Sequence, residues 1–246
     1  MPLAHRYALY LAPPEPWRSV GAQWLGRCAD TGALLPPAPD GDPRQRTWTE
    51  APRRYGLHAT LKPPFRLRAG CSPTGLDEAV RRLAHSTAPF AVRLQCQSLR
   101  GFLAWRLAGD AAEQAPMQAL AAEAVRRLDN WRAPPDETEL ARRRKLPLSA
   151  SHEAMLERWG YPYVMEQFVF HITLTGTLAG PEQEAALRCI QGFSAPLLGT
   201  PMPVRDVSVY VQPGPGAPFV VARHYGFDGS AADGVGAVYL DGTLVR

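Results

Sequence analysis

Close-spaced cysteines are missing from this 246-residue chain. Its four, Cys28, Cys71, Cys96 and Cys189, stand far apart, so neither a zinc knuckle nor a Cys-x-x-Cys redox pair can be built from neighbours in sequence. They are expected as reduced thiols of a cytoplasmic protein. Also missing is any run of about 18 apolar residues, and the opening Met1-Pro2-Leu3-Ala4-His5-Arg6-Tyr7 lacks the apolar stretch of a signal peptide. The expected location is therefore the cytoplasm, away from membranes. No dinucleotide glycine fingerprint or P-loop occurs. Gly214 and Gly216 alternate with Pro213 and Pro215 and read as a turn. His5, His85, His152 and His224 form no His-x-x-x-His pair and join no Cys/His cluster, which leaves them without metal partners. The net charge of +4 and pI near 9.0 lean towards an anionic ligand. A long basic stripe interleaved with aromatics, as a nucleic-acid surface would need, is lacking.

Proline is plentiful instead. The 25 prolines are about twice the usual ~5% share and indicate many pinned loops. With 46% hydrophobic and 20% charged residues, the chain is long enough to bury a sizeable core. In order, Arg6 to Leu11 reads as a strand ended by Pro13-Pro14. Pro16 to Cys28 reads as a helix with Trp17, Val20, Trp24 and Leu25 on one side. Thr31 to Pro52 reads as a long loop, functional or mobile. A strand around His58 ends at Pro63-Pro64. A helix then starts at a capping-box-like Thr74-Gly75-Leu76-Asp77 and puts Leu76, Ala79, Val80, Leu83 and Ala84 on one stripe. Phe90 to Leu99 and Phe102 to Leu107 form an antiparallel pair about Arg100-Gly101. Met117, Leu120, Ala121, Ala124, Val125 and Leu128 mark an amphipathic helix. After a break at Asn130 to Pro135 come the basic run Arg142-Arg143-Arg144-Lys145 and a helix capped by Ser149 or Ser151 and ended by Gly160. A strand around His171 follows, then a helix from Pro181 to about Gln191. Strands over Val204–Gln212, Phe219–Phe227 and Ala237–Leu240 close the chain.

The second half thus loosely echoes the first, each half placing a His strand before a helix and further strands. This suggests an α+β fold in which a duplicated unit of antiparallel sheets flanked by helices makes one bilobal domain over 1–246. The lobe boundary would lie near 130–135 and a cleft between the lobes.

The echo is sharpest in a phrase written twice, His58-Ala59-Thr60-Leu61 and His171-Ile172-Thr173-Leu174. In a strand, residues two apart share a face. His58 and Thr60 therefore share one face while Leu57, Ala59 and Leu61 take the other, and the same holds for His171 and Thr173 against Phe170, Ile172 and Leu174. Strands facing each other across a cleft would bring together two imidazoles and two hydroxyls. With an ordinary pKa of about 6.5, one imidazole can be neutral and the other protonated near neutrality. That pair suits displacement at phosphorus, one His taking a proton from the attacking oxygen and the other giving one to the leaving oxygen. Thr60 and Thr173 would donate to non-bridging phosphate oxygens. No metal or other cofactor is required for such chemistry. A metal site would call for carboxylates where the motifs supply threonine.

These motifs and their flanks, Arg53-Arg54-Tyr55-Gly56-Leu57 and Gly160-Tyr161-Pro162-Tyr163-Val164, resemble the two-histidine phosphoesterase superfamily, which includes cyclic phosphodiesterases and RNA-ligase-like proteins. Together with the opening Arg6-Tyr7-Ala8-Leu9-Tyr10-Leu11-Ala12-Pro13-Pro14 they look most like a branch associated with phosphonate metabolism. The resemblance extends to about Gly176. It implies a bilobal fold with the motifs facing each other at its centre. It also implies metal-independent opening of a 2′,3′-cyclic or related cyclic phosphate, with His58 and His171 as base and acid in an order left open, and Thr60 and Thr173 on phosphate. The branch suggests a ribosyl cyclic phosphate. The expected partner is a small phosphorylated substrate or an RNA end, with no obligate protein partner. The alternative is a non-catalytic module binding phosphorylated RNA ends or nucleotides.

Two further substrate contacts are expected. Lys62 continues the His58–Thr60 face if the strand persists, offsetting phosphate charge; otherwise it is a solvated strand end. Arg143, within the 142–145 run, has the fork that suits a second phosphate, or else lies on a solvated helix face. Tyr55, Tyr161 and Tyr163 either stack on a base or sugar or are ordinary half-buried tyrosines.

Overall fold

The segment from Arg6 to Leu11 does form a strand (β1), and it becomes an inner strand of a large sheet. A computed structural model describes residues 2–38, 41–145 and 147–241. Its other strands are β2 (Ala59–Phe65), β3 (Phe90–Val92), β4 (Leu94–Leu99), β5 (Phe102–Leu107), β6 (Ile172–Thr173), β7 (Met202–Val204), β8 (Asp206–Gln212), β9 (Val220–Gly226) and β10 (Ala231–Asp233). Eight of them form one antiparallel sheet in the order β10-β9-β8-β1-β2-β6-β5-β4, while β3 and β7 pair separately.

Helices cover one face of the sheet. Leu9, Leu11, Leu61, Trp105, Ile172, Val207 and Val209 pack there with Leu76, Val80 and Leu83 of helix Pro73–His85, with Met117, Leu120 and Ala124 of helix Ala111–Leu128, and with Ala186 and Ile190 of helix Gly180–Leu198. A smaller cluster, Ala8, Tyr10, Ala29, Tyr210, Phe219 and Val221, lies apart from this core. β1 is thus buried on both faces, which explains why it reads as a nearly unbroken apolar run. The α+β architecture, a large antiparallel sheet flanked by helices, is as expected. The placement of the motifs is not: β2 and β6 are hydrogen-bonded neighbours, side by side instead of on opposite walls. Each side of this seam takes strands from both halves of the chain. β4 and β5 flank β6, and β1 and β8 to β10 flank β2.

Several local expectations are corrected. β2 runs through Pro63 and Pro64. The register against β1 shifts twice there, from Tyr7↔Phe65 to Leu9↔Lys62 and from Leu9↔Lys62 to Tyr10↔Thr60, and β6 meets β2 only at Ala59, so missing proline N–H groups cost little. Ser72, not Thr74, caps its helix, accepting from Gly75 N at 3.1 Å with Pro73 at the first position. The 31–52 segment folds into single turns at Gln45–Trp48 and Glu50–Arg53, pinned by buried Trp48; its positions 39 and 40 lie outside the described residues. The second His strand shrinks to Ile172–Thr173. The helix begun near Pro181 continues to Leu198. Val238–Asp241 is a helical turn with Leu240 buried, not a strand. Among the described residues no helix is long and apolar enough to cross a membrane.

Arg223 of β9 ties these layers together. Its fork reaches Asp77 of helix Pro73–His85 at 2.9 Å, Asp233 of β10 at 2.5 Å and Asp241 at 2.5 Å. Tyr225 donates to Asp77 at 2.7 Å. Without Arg223, Asp77 keeps Arg81 at 2.8 Å and Asp233 is half exposed to water, so what is lost is charge-assisted hydrogen bonding, typically ~1.5–3 kcal/mol. Arg223→Met is expected to lower unfolding free energy by about that much in urea titrations.

Candidate active site

The site is built by one pairing. Ala59 and Ile172 sit opposite each other in antiparallel strands, both buried towards the helices. Extending that register by one residue each way puts His58 opposite Thr173 and Thr60 opposite His171, all four on the face away from the core. The two histidines are then diagonal neighbours, a relation that spans ~7–8 Å between backbones. His171 contributes to lowering the pKa of His58, as rings this close should.

The same cross-strand logic extends outwards. Tyr10 of β1 pairs with Thr60, and its ring stacks on His58 with centroids 3.9 Å apart. On the other side Ala104↔Thr173 and Trp105↔Ile172 are paired; one more step sets Arg106 opposite His171. Arg106 Nη1 donates to Gln97 at 3.2 Å, while its Nε is buried without a partner.

Each imidazole is held alike. Nδ1 of His58 lies 2.9 Å from the carbonyl of Gly56, and Nδ1 of His171 lies 2.7 Å from that of Val169. A carbonyl only accepts, so Nδ1 carries the proton and, in the neutral ring, Nε2 keeps its lone pair. The turn before His58 needs Gly56. It has φ +74°, and a Cβ there would come 2.5 Å from that of Ala29. Tyr210 hydroxyl donates to the carbonyl of Leu57 at 3.1 Å, fixing the same turn.

Desolvation lowers the pKa of His58 to about 4 against the hydrogen bond to Gly56, and His171 reinforces it. His171 is also lowered, by desolvation first and then by Arg100 and Arg106. Both rings are thus neutral near neutrality, and a bound anion would raise both.

A cavity of about 500 Å³ is lined by His58, Thr60, Thr173, Tyr10, Tyr55, Phe102, Tyr161, Arg6, Arg142 and Arg143, with Ala51 and Pro52 from the 31–52 segment. His171 borders an adjoining space of about 190 Å³ with Arg100 and Tyr163, and Thr60, Pro63, Phe102 and Tyr161 line both. The geometry therefore gathers His58, His171, Thr60, Thr173 and Arg143. Lys62 is the exception and its expected role is corrected. The register shift between Tyr10↔Thr60 and Leu9↔Lys62 leaves Leu61 as an extra residue, which turns Lys62 to the face that Leu9 shares with the helices. There it is almost wholly buried, 3.3 Å from Asp129 and 3.2 Å from the carbonyl of Val125. Arg6, Tyr10 and Arg106 were not assignable from sequence, since only the register brings them to the motifs. Among the described residues no three His, Cys, Asp or Glu cluster as metal ligands would.

The chain belongs to the family described as "Protein of unknown function (DUF1045)", whose model matches residues 60–220. It is 34% identical over 241 residues to a protein of Janthinobacterium sp. (strain Marseille) named ribose 1,5-bisphosphate phosphokinase PhnN, covering 91% of this chain and 51% of that protein. A protein of the same name from Laribacter hongkongensis (strain HLHK9) is 35% identical over 223 residues, with 89% and 51% covered. The chain spans about half the length of these curated relatives. Among solved structures it is similar to Kluyveromyces marxianus Usb1 with uridine monophosphate, with 10% identity, 88% of this chain and 96% of that one covered, and a TM-score of 0.31.

The pKa of His58 has a consequence for folding. In the unfolded chain the ring binds a proton below about 6.5, whereas in the folded protein it stays neutral down to about 4. The unfolded state therefore binds more protons between these values, and stability falls as pH drops through that window. Comparing wild type with His58→Gln by urea unfolding from pH 7 to 4 should show a smaller acid loss in the variant, the difference being at most about 3 kcal/mol.

Proposed function

We propose that this chain is a phosphodiesterase that opens a small cyclic phosphate by paired-histidine acid–base catalysis. The observation that carries this reading is the hydrogen-bonded seam that sets two His-x-Thr pairs on one face, each imidazole fixed through Nδ1 and offering Nε2. A neutral imidazole takes the proton of an attacking water as its oxygen bonds to phosphorus. The other, protonated, gives its proton to the sugar oxygen as the P–O bond breaks, leaving a phosphomonoester and a free hydroxyl. Thr60 and Thr173, whose hydroxyls have no partner among the described residues, would donate to the non-bridging oxygens, and Arg100 and Arg106 would add positive field near His171. Two rings with pKa values below the ordinary range must bind an anion before one can hold a proton near neutrality.

The resemblance to two-histidine phosphoesterases supports the same chemistry. Candidate substrates are nucleoside 2′,3′-cyclic phosphates and ribosyl cyclic phosphates. The second class is favoured because the relatives' name refers to a ribose bisphosphate, and a cyclic phosphate on ribose 5-phosphate opens to a ribose bisphosphate. The chain has no P-loop, so nucleotide-dependent phosphoryl transfer finds no support in its residues.

The test is product analysis on both substrate classes with wild type, His58→Ala and His171→Ala. Each variant should lose at least ~10²-fold in kcat, chelators should change nothing, and kcat/KM should follow a bell with its maximum on the acid side of 6.5. Binding without product across the panel would replace the enzyme by a module that recognises phosphorylated ends.

A further inference from the structure

The main cavity is larger than one phosphate needs, and its outer wall is cationic. Arg6, Arg142 and Arg143 line it beside His58 and Thr60, and no Asp or Glu is among its lining residues. Arg6 spends its Nε on Gln212 at 2.7 Å, and its side chain lies over the Phe219 ring at 5.5 Å. Arg143 stacks on Tyr161 at 4.5 Å, and its buried Nε has no partner. One carboxylate serves two of these cations. Glu139 Oε1 lies 3.9 Å from Arg142 and 3.8 Å from Arg143, ion-pair distances beyond hydrogen-bond reach. Arg6 feels Arg142 as a repelling neighbour and Glu139 as an attracting one, with Tyr55 and Tyr10 also close. Three guanidiniums around one distant carboxylate leave a net charge of about +2 on one wall, with donor atoms that no acceptor among the described residues satisfies. Such forks match phosphate oxygens.

Resting on the phosphodiesterase reading, we infer that Arg6, Arg142 and Arg143 form a second anion subsite, so that the substrate class is a sugar cyclic phosphate carrying a further, non-cyclic phosphate. The His-x-Thr seam takes the ring phosphate. The sugar lies against the aromatic wall of Tyr10, Tyr55 and Phe102, and the distal phosphate meets the arginines.

The decisive experiment compares two probes that differ in one group, adenosine 2′,3′-cyclic phosphate with and without a 5′-phosphate. Wild type should favour the 5′-phosphorylated compound in kcat/KM by at least about tenfold. Arg142→Gln, Arg143→Gln and Arg6→Gln should each move that ratio towards one. Glu139→Gln, which removes the competing carboxylate, should raise it, an effect that misfolding does not imitate. A wild-type ratio near one, or a ratio the arginine variants do not move, overturns the subsite. Calorimetric binding of adenosine 3′,5′-bisphosphate against adenosine 3′-monophosphate reads the subsite even if neither cyclic compound is turned over. The bisphosphate should bind at least about tenfold tighter to wild type, with the difference reduced in the arginine variants and enlarged by Glu139→Gln. Equal affinities would sink the inference without touching the catalytic reading, whereas a tenfold preference without turnover would sink the catalytic reading alone.

Discussion

The pairing of Ala59 with Ile172 is the constraint on which the rest depends. Because side chains alternate with period two, placing these two apolar residues in the core forces both His-x-Thr pairs outwards onto the opposite face. A slip of one residue would exchange every side chain of one motif between core and cavity. Leu57, Ala59 and Leu61 of one motif and Phe170, Ile172 and Leu174 of the other are all buried, so the cost of such a slip is one motif's apolar side chains in water and its imidazole in the core. The hydrophobic effect thereby sets the position of the chemistry.

The same seam explains the electrostatics. Putting two imidazoles diagonally adjacent in a partly desolvated setting disfavours protonation of either, and Arg100 and Arg106 add to this at His171. The two neutral imidazoles thus stand beside a cationic rim, a combination suited to an anion. Tyr10, stacked on His58 and cross-strand to Thr60, seals the floor on one side. The irregularity at Leu61 keeps Lys62 out of this arrangement and spends its charge on Asp129 beneath the sheet.

Much of this was legible in the sequence where the cause is local. The period-two pattern of each motif, the amphipathic stripe from Met117 to Leu128, a cap at Ser149 or Ser151 and the Gly160 stop all follow from neighbours along the chain, and the structure has them, with Ser149 as the cap. What was not legible depends on partners far away in sequence. The two motifs pair edge to edge, which no property of either strand announces. Pro63 and Pro64 stay in β2 because β6 meets that strand only at Ala59 and the register with β1 shifts beside them. Lys62 was misplaced because a bulge inverts the count of faces. Arg6 lines the cavity and Arg106 comes opposite His171 only in the folded sheet, and Asp77, a helix-start residue in the sequence, is an anchor for Arg223.

The central claim is that both imidazoles address one phosphate. Titrating inorganic phosphate or a nucleoside monophosphate into ¹⁵N-histidine-labelled protein near pH 6, and following the ring nitrogens of His58 and His171, tests it most directly. The account predicts that both Nε2 signals move towards the protonated form with a single shared midpoint, while both Nδ1 signals remain those of a bound N–H. Movement of one ring alone, or two separate midpoints, would contradict it.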